Sequence, residues 1–167
     1  ATAPLLLLLY DRIFVYRTWK DAWRDRGPFY LALASSWLLL AALLAPGPRA
    51  RSAGFATSVS AWTYLLNQAE MIVHYLRLVI WPRGLALMYG VPRALSLVDV
   101  AWQMTLIVLL GAATVWALFR KPALGFLGAW FFVTLAPASS IVPIATEVGA
   151  ERRMYLPLAA LAVLGVL

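Results

Sequence analysis

The sequence predicts an all-α integral membrane protein, a polytopic helical bundle, and three observations carry that prediction. Apolar residues make up 63% of the 167 and charged residues 13%, against about 45–50% and about 25% in soluble globular domains. A chain of this composition has too little polar side chain to cover a water-facing surface. Uncharged runs such as Val100 to Phe119 are long enough to cross roughly 30 Å of hydrocarbon at about 1.5 Å per residue. The 14 Lys and Arg, against 7 Asp and Glu, fall in short clusters between those runs, where the positive-inside effect puts them. The net charge of +7 therefore points to membrane lipid, through anionic headgroups or a phosphorylated lipid, and not to nucleic acid. Soluble enzymes, nucleic-acid modules and disordered tails are excluded. The chain has no Cys, so it carries no disulfide framework, thiolate chemistry or Cys-based metal site.

Taken in order, residues 1–10 read as a partial span. Pro4 and the Leu5 to Leu9 run lead straight into Asp11, with about half of the roughly 20 apolar residues a crossing needs. A signal peptide is excluded because no basic segment precedes the run and no small-residue cleavage pattern follows it. Both ends read as cut, so the chain is expected to be an internal piece of a larger protein, a single transmembrane region truncated at each end.

Residues 11–27 hold Arg12, Arg17, Lys20, Arg24 and Arg26. Tyr16, Trp19 and Trp23 fall at helical spacing on one face, and Arg17, Lys20, Asp21 and Arg24 on another. This is the pattern of a basic amphipathic helix lying on the cytoplasmic interface, with a solvated loop between spans as the alternative, and Gly27-Pro28 is expected to end the helix. A span follows over 29–45, closed by Pro46-Gly47-Pro48, and then a small, polar loop over 49–60. The second clean span covers 100–119, and Arg120-Lys121-Pro122 makes a tight basic turn. Residues 123–144 are also uncharged, but Pro137 and Pro143 bracket Ala138 to Val142. A regular helix should break near Pro137, leaving a Pro-interrupted span whose irregular backbone must face protein or a wet cavity. Residues 154–167 form a last partial span.

The segment 61–82 is different. Asn67, Glu70, His74 and Arg77 recur at i, i+3, i+7 and i+10, which confines them to one arc of roughly 80° on a helix. Facing lipid, Glu70 and Arg77 would each cost about 2.5–3.5 kcal/mol. The helix therefore lies in the interface or turns its polar stripe to a wet cavity. The Lys and Arg balance taken alone favours a crossing helix. The tight Arg120-Lys121 turn and the polar stripe favour a non-crossing one, and that reading is adopted.

Three groups of residues can carry chemistry. Ionisable groups in a membrane helix mark a substrate path or headgroup site, and Arg77 with His74 can hold a phosphate. Glu70 and His74, at i and i+4, can equally satisfy each other. Glu147 to Pro157 places two acids and two arginines beside an apolar run. There an acid can orient an acceptor hydroxyl and an Arg can stabilise a leaving phosphate, or the group is an interfacial anchor with Tyr155 in the aromatic belt. Tyr89 to Arg93, with Asp99, reads as a hydrogen-bonded connection. With one His and no Cys there is no metal-ligand cluster.

Three ordered stretches resemble the bacterial relatives of the transmembrane and tetratricopeptide-repeat O-mannosyltransferases, of the GT-C class. The first is Pro4 to Arg12. The second runs from Tyr64-Leu65-Leu66-Asn67-Gln68 through Tyr75-Leu76-Arg77-Leu78 to Trp81-Pro82 and Leu87-Met88-Tyr89. The third runs from Trp130-Phe131-Phe132 through Pro137 to Pro143 and on to Glu151-Arg152-Arg153-Met154-Tyr155-Leu156-Pro157. The resemblance implies the C-terminal part of a GT-C-like bundle in the bacterial inner membrane. It further implies transfer of a sugar from a polyprenyl-phosphate carrier to a protein acceptor on the extracytoplasmic face. In that family the catalytic acids lie in a first extracytoplasmic loop, so no catalytic residue is expected within this chain, and the repeats would follow residue 167. The expected binding residues, around the donor-lipid phosphate or its cavity, are Glu70, His74, Arg77, Glu151, Arg152 and Tyr155. No metal or cofactor is implied beyond the lipid-linked sugar substrate. The rival readings are a non-catalytic membrane scaffold carrying repeats for envelope assembly, and a carrier of lipid-linked sugars.

Overall fold

Six α-helices occur among the described residues of the computed structural model, which are 2–44, 59–137, 139, 144 and 146–167. They are α1 (Ala3–Tyr10), α2 (Trp19–Leu44), α3 (Ala61–Ile80), α4 (Ala101–Arg120), α5 (Pro122–Leu135) and α6 (Tyr155–Val166). No strand occurs among the described residues, so the fold is all-α. The loop expected over 49–60 lies outside the described residues apart from Val59 and Ser60, and so do most of Ala138 to Val142.

The N-terminal part departs from expectation. α1 runs into a single π turn, Asp11–Val15, and the chain straightens at Tyr16 (φ −115°, ψ 138°). α2 then starts with a reciprocal cap, in which Asp21 N donates to Thr18 Oγ1 and the Thr18 hydroxyl donates back to the Asp21 carboxylate. It continues without a break through Gly27 and Pro28 to Leu44. The interfacial helix over 11–27 and the span over 29–45 are thus not two elements, and Gly27-Pro28 does not end a helix. The physical reason is a pin that straddles the proline. Asp11, 1% exposed, accepts two bonds from Arg26 Nη1 at 3.0 Å and one from the Tyr30 hydroxyl at 2.7 Å. Both donors need α2 to keep its helical phase across Pro28. The hydrogen bond Pro28 removes is the one to the Arg24 carbonyl, and Arg24 lies on an exposed part of the helix.

α4 and α5 form a hairpin. Pro122 opens α5, where its missing N–H costs nothing. The helices approach so closely that a Cβ on Gly125 would sit 2.3 Å from the Leu118 backbone nitrogen. α5 ends at Leu135, two residues before Pro137. Its 14 residues span about 21 Å, short of the roughly 30 Å hydrocarbon thickness. A 3₁₀ turn, Glu151–Met154, leads into α6, which also packs on α5. The main core gathers Met71 and Tyr75 of α3, Phe131 and Leu135 of α5, Ala160 of α6, and Val148 and Met154 from the connecting segment.

Among the described residues two helices, Trp19–Leu43 within α2 and the whole of α4, are long and apolar enough to cross a membrane. Only 11% and 6% of their apolar windows are covered by the rest of the fold. Leu38, Leu39 and Leu43 of α2, with Val108, Leu109 and Phe119 of α4, all stand exposed, far more apolar surface than a water-facing monomer ordinarily shows.

Candidate functional site

The site is built on α3, capped at its start by Ser60, whose hydroxyl accepts from Thr63 N at 3.0 Å. The face α3 buries most deeply is not the Asn67-Glu70-His74-Arg77 arc but its neighbour, Tyr64, Gln68, Met71 and Tyr75. Across that face runs the segment Glu147 to Ala150. Gln68 Nε2 donates to Val148 O at 2.8 Å. The Tyr75 hydroxyl accepts from Ala150 N at 2.7 Å and lies 3.1 Å from Ala150 O, which it can donate to. Gly149 is a requirement of this approach, because a Cβ there would lie 2.7 Å from the Tyr75 oxygen and 2.5 Å from Met71 Cε. A second segment pairs with the first through the backbone, Tyr89 N to Gly149 O at 2.9 Å and Val148 N to Gly90 O at 2.8 Å. Gly90 makes that turn at φ +83°, a conformation few other residues adopt. Tyr89 to Arg93 is therefore a hydrogen-bonded connection.

The charges in this frame sort themselves into closed pairs. Glu147, 7% exposed, accepts from Arg152 Nη2 at 2.6 and 2.7 Å and from Arg153 Nη2 at 2.6 Å. Arg153 is the inner partner, its side chain 6% exposed, and it also donates to Val148 O at 3.1 Å. Arg152 is the outer partner, 65% exposed. Burial pushes the Glu147 carboxyl up, but the hydrogen bonds and charge of the two guanidinium groups outweigh it and hold the carboxyl below its ordinary value. Glu151 accepts from the Tyr89 hydroxyl at 2.9 Å and from Ala86 N, fastening the strap Trp81–Ala86 to the 3₁₀ turn. The Tyr89 hydroxyl is pushed up by burial and by the adjoining Glu151 carboxylate.

The six expected site residues do not share one hollow. Glu70 is spent on Arg93, whose Nη2 donates to both its oxygens at 2.6 and 2.7 Å, so it satisfies neither His74 nor a ligand. His74 and Arg77 line one hollow of about 320 Å³ with Arg83, Trp81, Leu78 and Gly84. His74 meets the Tyr89 ring edge to face at 4.7 Å between centroids. Glu151, Arg152 and Tyr155 line another, of about 290 Å³, whose remaining walls are largely apolar and include Leu78, Val79, Pro82 and Met154. Leu78 borders both, and the two hollows divide the strap between them. Asn67 reaches neither; its amide bonds both ways with the Arg93 backbone, at 2.8 and 3.2 Å. The polar ribbon along α3 is thus divided, with Asn67 and Glu70 taken up in holding Arg93 and only His74 and Arg77 left lining a hollow, apart from that of Glu151, Arg152 and Tyr155.

Sequence reasoning missed Gln68, Tyr75, Arg83 and Arg93 as organising residues, and placed Glu147 and Arg153 only as members of a charged stretch. Tyr64, Gln68, Met71 and Tyr75 do recur at i, i+4, i+7 and i+11, a usable helical signal, but their mixed chemistry scores as neither a polar nor an apolar face. Among the described residues no group of three metal-ligating side chains gathers. In comparisons with protein-family models, curated proteins and solved structures, nothing matches this chain.

Proposed function

We propose that this chain is the donor-binding part of a membrane glycosyltransferase of the bacterial inner membrane, polytopic and protein O-mannosyltransferase-like, which uses a polyprenyl-phosphate sugar on the extracytoplasmic face. The observation that carries the reading is the second hollow. An apolar slot between the end of α3, the strap and the start of α6 has the exposed Arg152 guanidinium at its edge. Isoprenoid chain and phosphate are the two chemistries such a slot suits, the first by burial and the second by a fork of charge-assisted donors. Glu147 orients that fork from behind.

In the transfer, an acceptor hydroxyl oxygen bonds to the sugar C1 and the C1–O bond to phosphate breaks. Polyprenyl phosphate leaves with the electron pair, and the hydroxyl proton goes to a carboxylate in the family's extracytoplasmic loop. Arg152 offsets charge that grows on the leaving phosphate, where such stabilisation acts on the rate. Both acids beside the slot, Glu147 and Glu151, are committed to hydrogen bonds of the fold, which supports a base from outside it. The same commitment suits a carrier of lipid-linked sugar that performs no transfer.

The experiment is a transfer assay on the intact protein with a polyprenyl-phosphate sugar, comparing wild type with Arg152→Gln. About 100-fold slower transfer at unchanged membrane abundance is expected, the scale of losing one preorganised donor. Unchanged transfer removes Arg152 from the mechanism. Donor binding by wild type with no transfer in any acceptor mixture favours the carrier.

A further inference from the structure

The hollow on the other side of the strap has a composition of its own. His74, Arg77 and Arg83 converge on its roughly 320 Å³, and none of its lining residues is an acid. The acids nearest in sequence are spent elsewhere, Glu70 on Arg93 and Asp99 on Ser96, and so is Glu151, on Tyr89 and Ala86. Arg93, Arg152 and Arg153, by contrast, each have a carboxylate partner. Neither Arg77 nor Arg83 forms an ion pair among the described residues. The Arg83 guanidinium lies 4.9 Å over the Trp81 ring, a cation–π contact that restrains it without neutralising it. Gly84, at φ +71°, turns the strap beside it. The volume equals about ten waters at roughly 30 Å³ each, ample for a phosphate group. The neighbouring rim is apolar, with Ile80, Trp81 and Leu85 well exposed.

Uncompensated guanidinium groups around a pocket of this size, beside exposed apolar side chains, match a phosphate carried at the end of an apolar body. We propose that the His74–Arg77–Arg83 hollow is a second anion site, separate from the Arg152 slot, which takes a phosphate group. Arg77 and Arg83 supply the charge-assisted donors, and His74, held against Tyr89, forms the inner wall. The phosphate belongs to a lipid headgroup or is free in solution, and the site chemistry is common to both. The site does not rest on the glycosyltransferase reading.

The test titrates the intact protein in detergent, by calorimetry, with short-chain phosphatidic acid, with diacylglycerol of the same chains, and with inorganic phosphate. Saturable binding of phosphatidic acid is expected, weakened at least roughly ten-fold in the Arg77→Gln/Arg83→Gln double variant, as befits loss of charged hydrogen bonds. Arg152→Gln is expected to leave that affinity within about two-fold, because Arg152 does not line this hollow. Inorganic phosphate that competes at comparable concentration assigns the site to free phosphate; failure to compete assigns it to the lipid. Equal binding of diacylglycerol overturns the proposal. So does a double variant that melts like wild type and binds phosphatidic acid as tightly. Equal weakening by Arg152→Gln overturns the separateness of the two sites. Failure of the transfer assay above would leave each of these results unaltered.

Discussion

Glu147 has two arginine partners of very different standing. Arg153 is buried with it, and Arg152 is mostly in solvent. Breaking a buried pair by removing one partner leaves an uncompensated charge, at about 3–5 kcal/mol, whereas an exposed partner contributes about 0–1 kcal/mol. Arg153→Gln is therefore expected to lower the stability of the protein by about 3 kcal/mol, and Arg152→Gln by less than about 1 kcal/mol, measured by thermal unfolding in detergent. The pH dependence follows from the same carboxylate. Its value in the fold lies below the ordinary 4.5, so its contribution is complete above pH 4.5 and is lost as pH falls below that through the folded-state value. Glu147→Gln should flatten the acid limb of the unfolding profile. An unaltered acid limb would show that the clamp does not govern acid stability. That Glu147 and Arg153 pair was within reach of their spacing, since both lie in one short charged stretch. That Arg153 rather than Arg152 turns inward was not, because it depends on Tyr64 and Val148.

At the scale of elements, local chemistry marked several boundaries well. Ser60 caps α3, Pro122 opens α5, and α5 stops just ahead of Pro137. The α2 boundary was misread because Gly27-Pro28 is a strong local stop signal, while the force that overrides it comes from Asp11, 15 and 19 residues away in sequence. A test acts on that force directly. Asp11→Asn removes the charge that holds Arg26 and Tyr30 and should lower the melting temperature. It should also open the Tyr16–Thr18 junction to limited proteolysis, as few other contacts hold α1 to α2. Wild-type melting with a wild-type digestion pattern would mean that α2 crosses Pro28 for another reason. The α4–α5 hairpin shows the opposite case. Gly125 and Gly128 stood in the sequence as unremarked small residues, yet a Cβ at Gly125 would strike backbone that cannot yield.

For the molecule as a whole, the question is which surfaces meet lipid. The exposed apolar faces of α2 and α4 are expected to lie in hydrocarbon, and the non-crossing reading of α3 puts both of its ends on one side. These 167 residues hold no Cys, so single cysteines placed in them can report this. Val108→Cys, midway along α4, should resist a membrane-impermeant maleimide in intact cells. Ser60→Cys and Arg83→Cys, flanking α3, should both label from the same side. Labelling of only one of the two while the membrane is intact would mean that α3 crosses.

The helical class and the apolar excess were determined by the sequence alone, because composition and residue periodicity are properties of the chain that no partner alters. So were the helix ends that rest on local capping and proline chemistry. Tertiary structure decided which charges remain available to a ligand. Glu70 meets Arg93, Glu151 meets Tyr89, and Tyr75 meets Ala150 across separations of 23 to 75 residues. A helical period records the angle at which a side chain leaves its own axis, and it holds no information about which distant group will be waiting there.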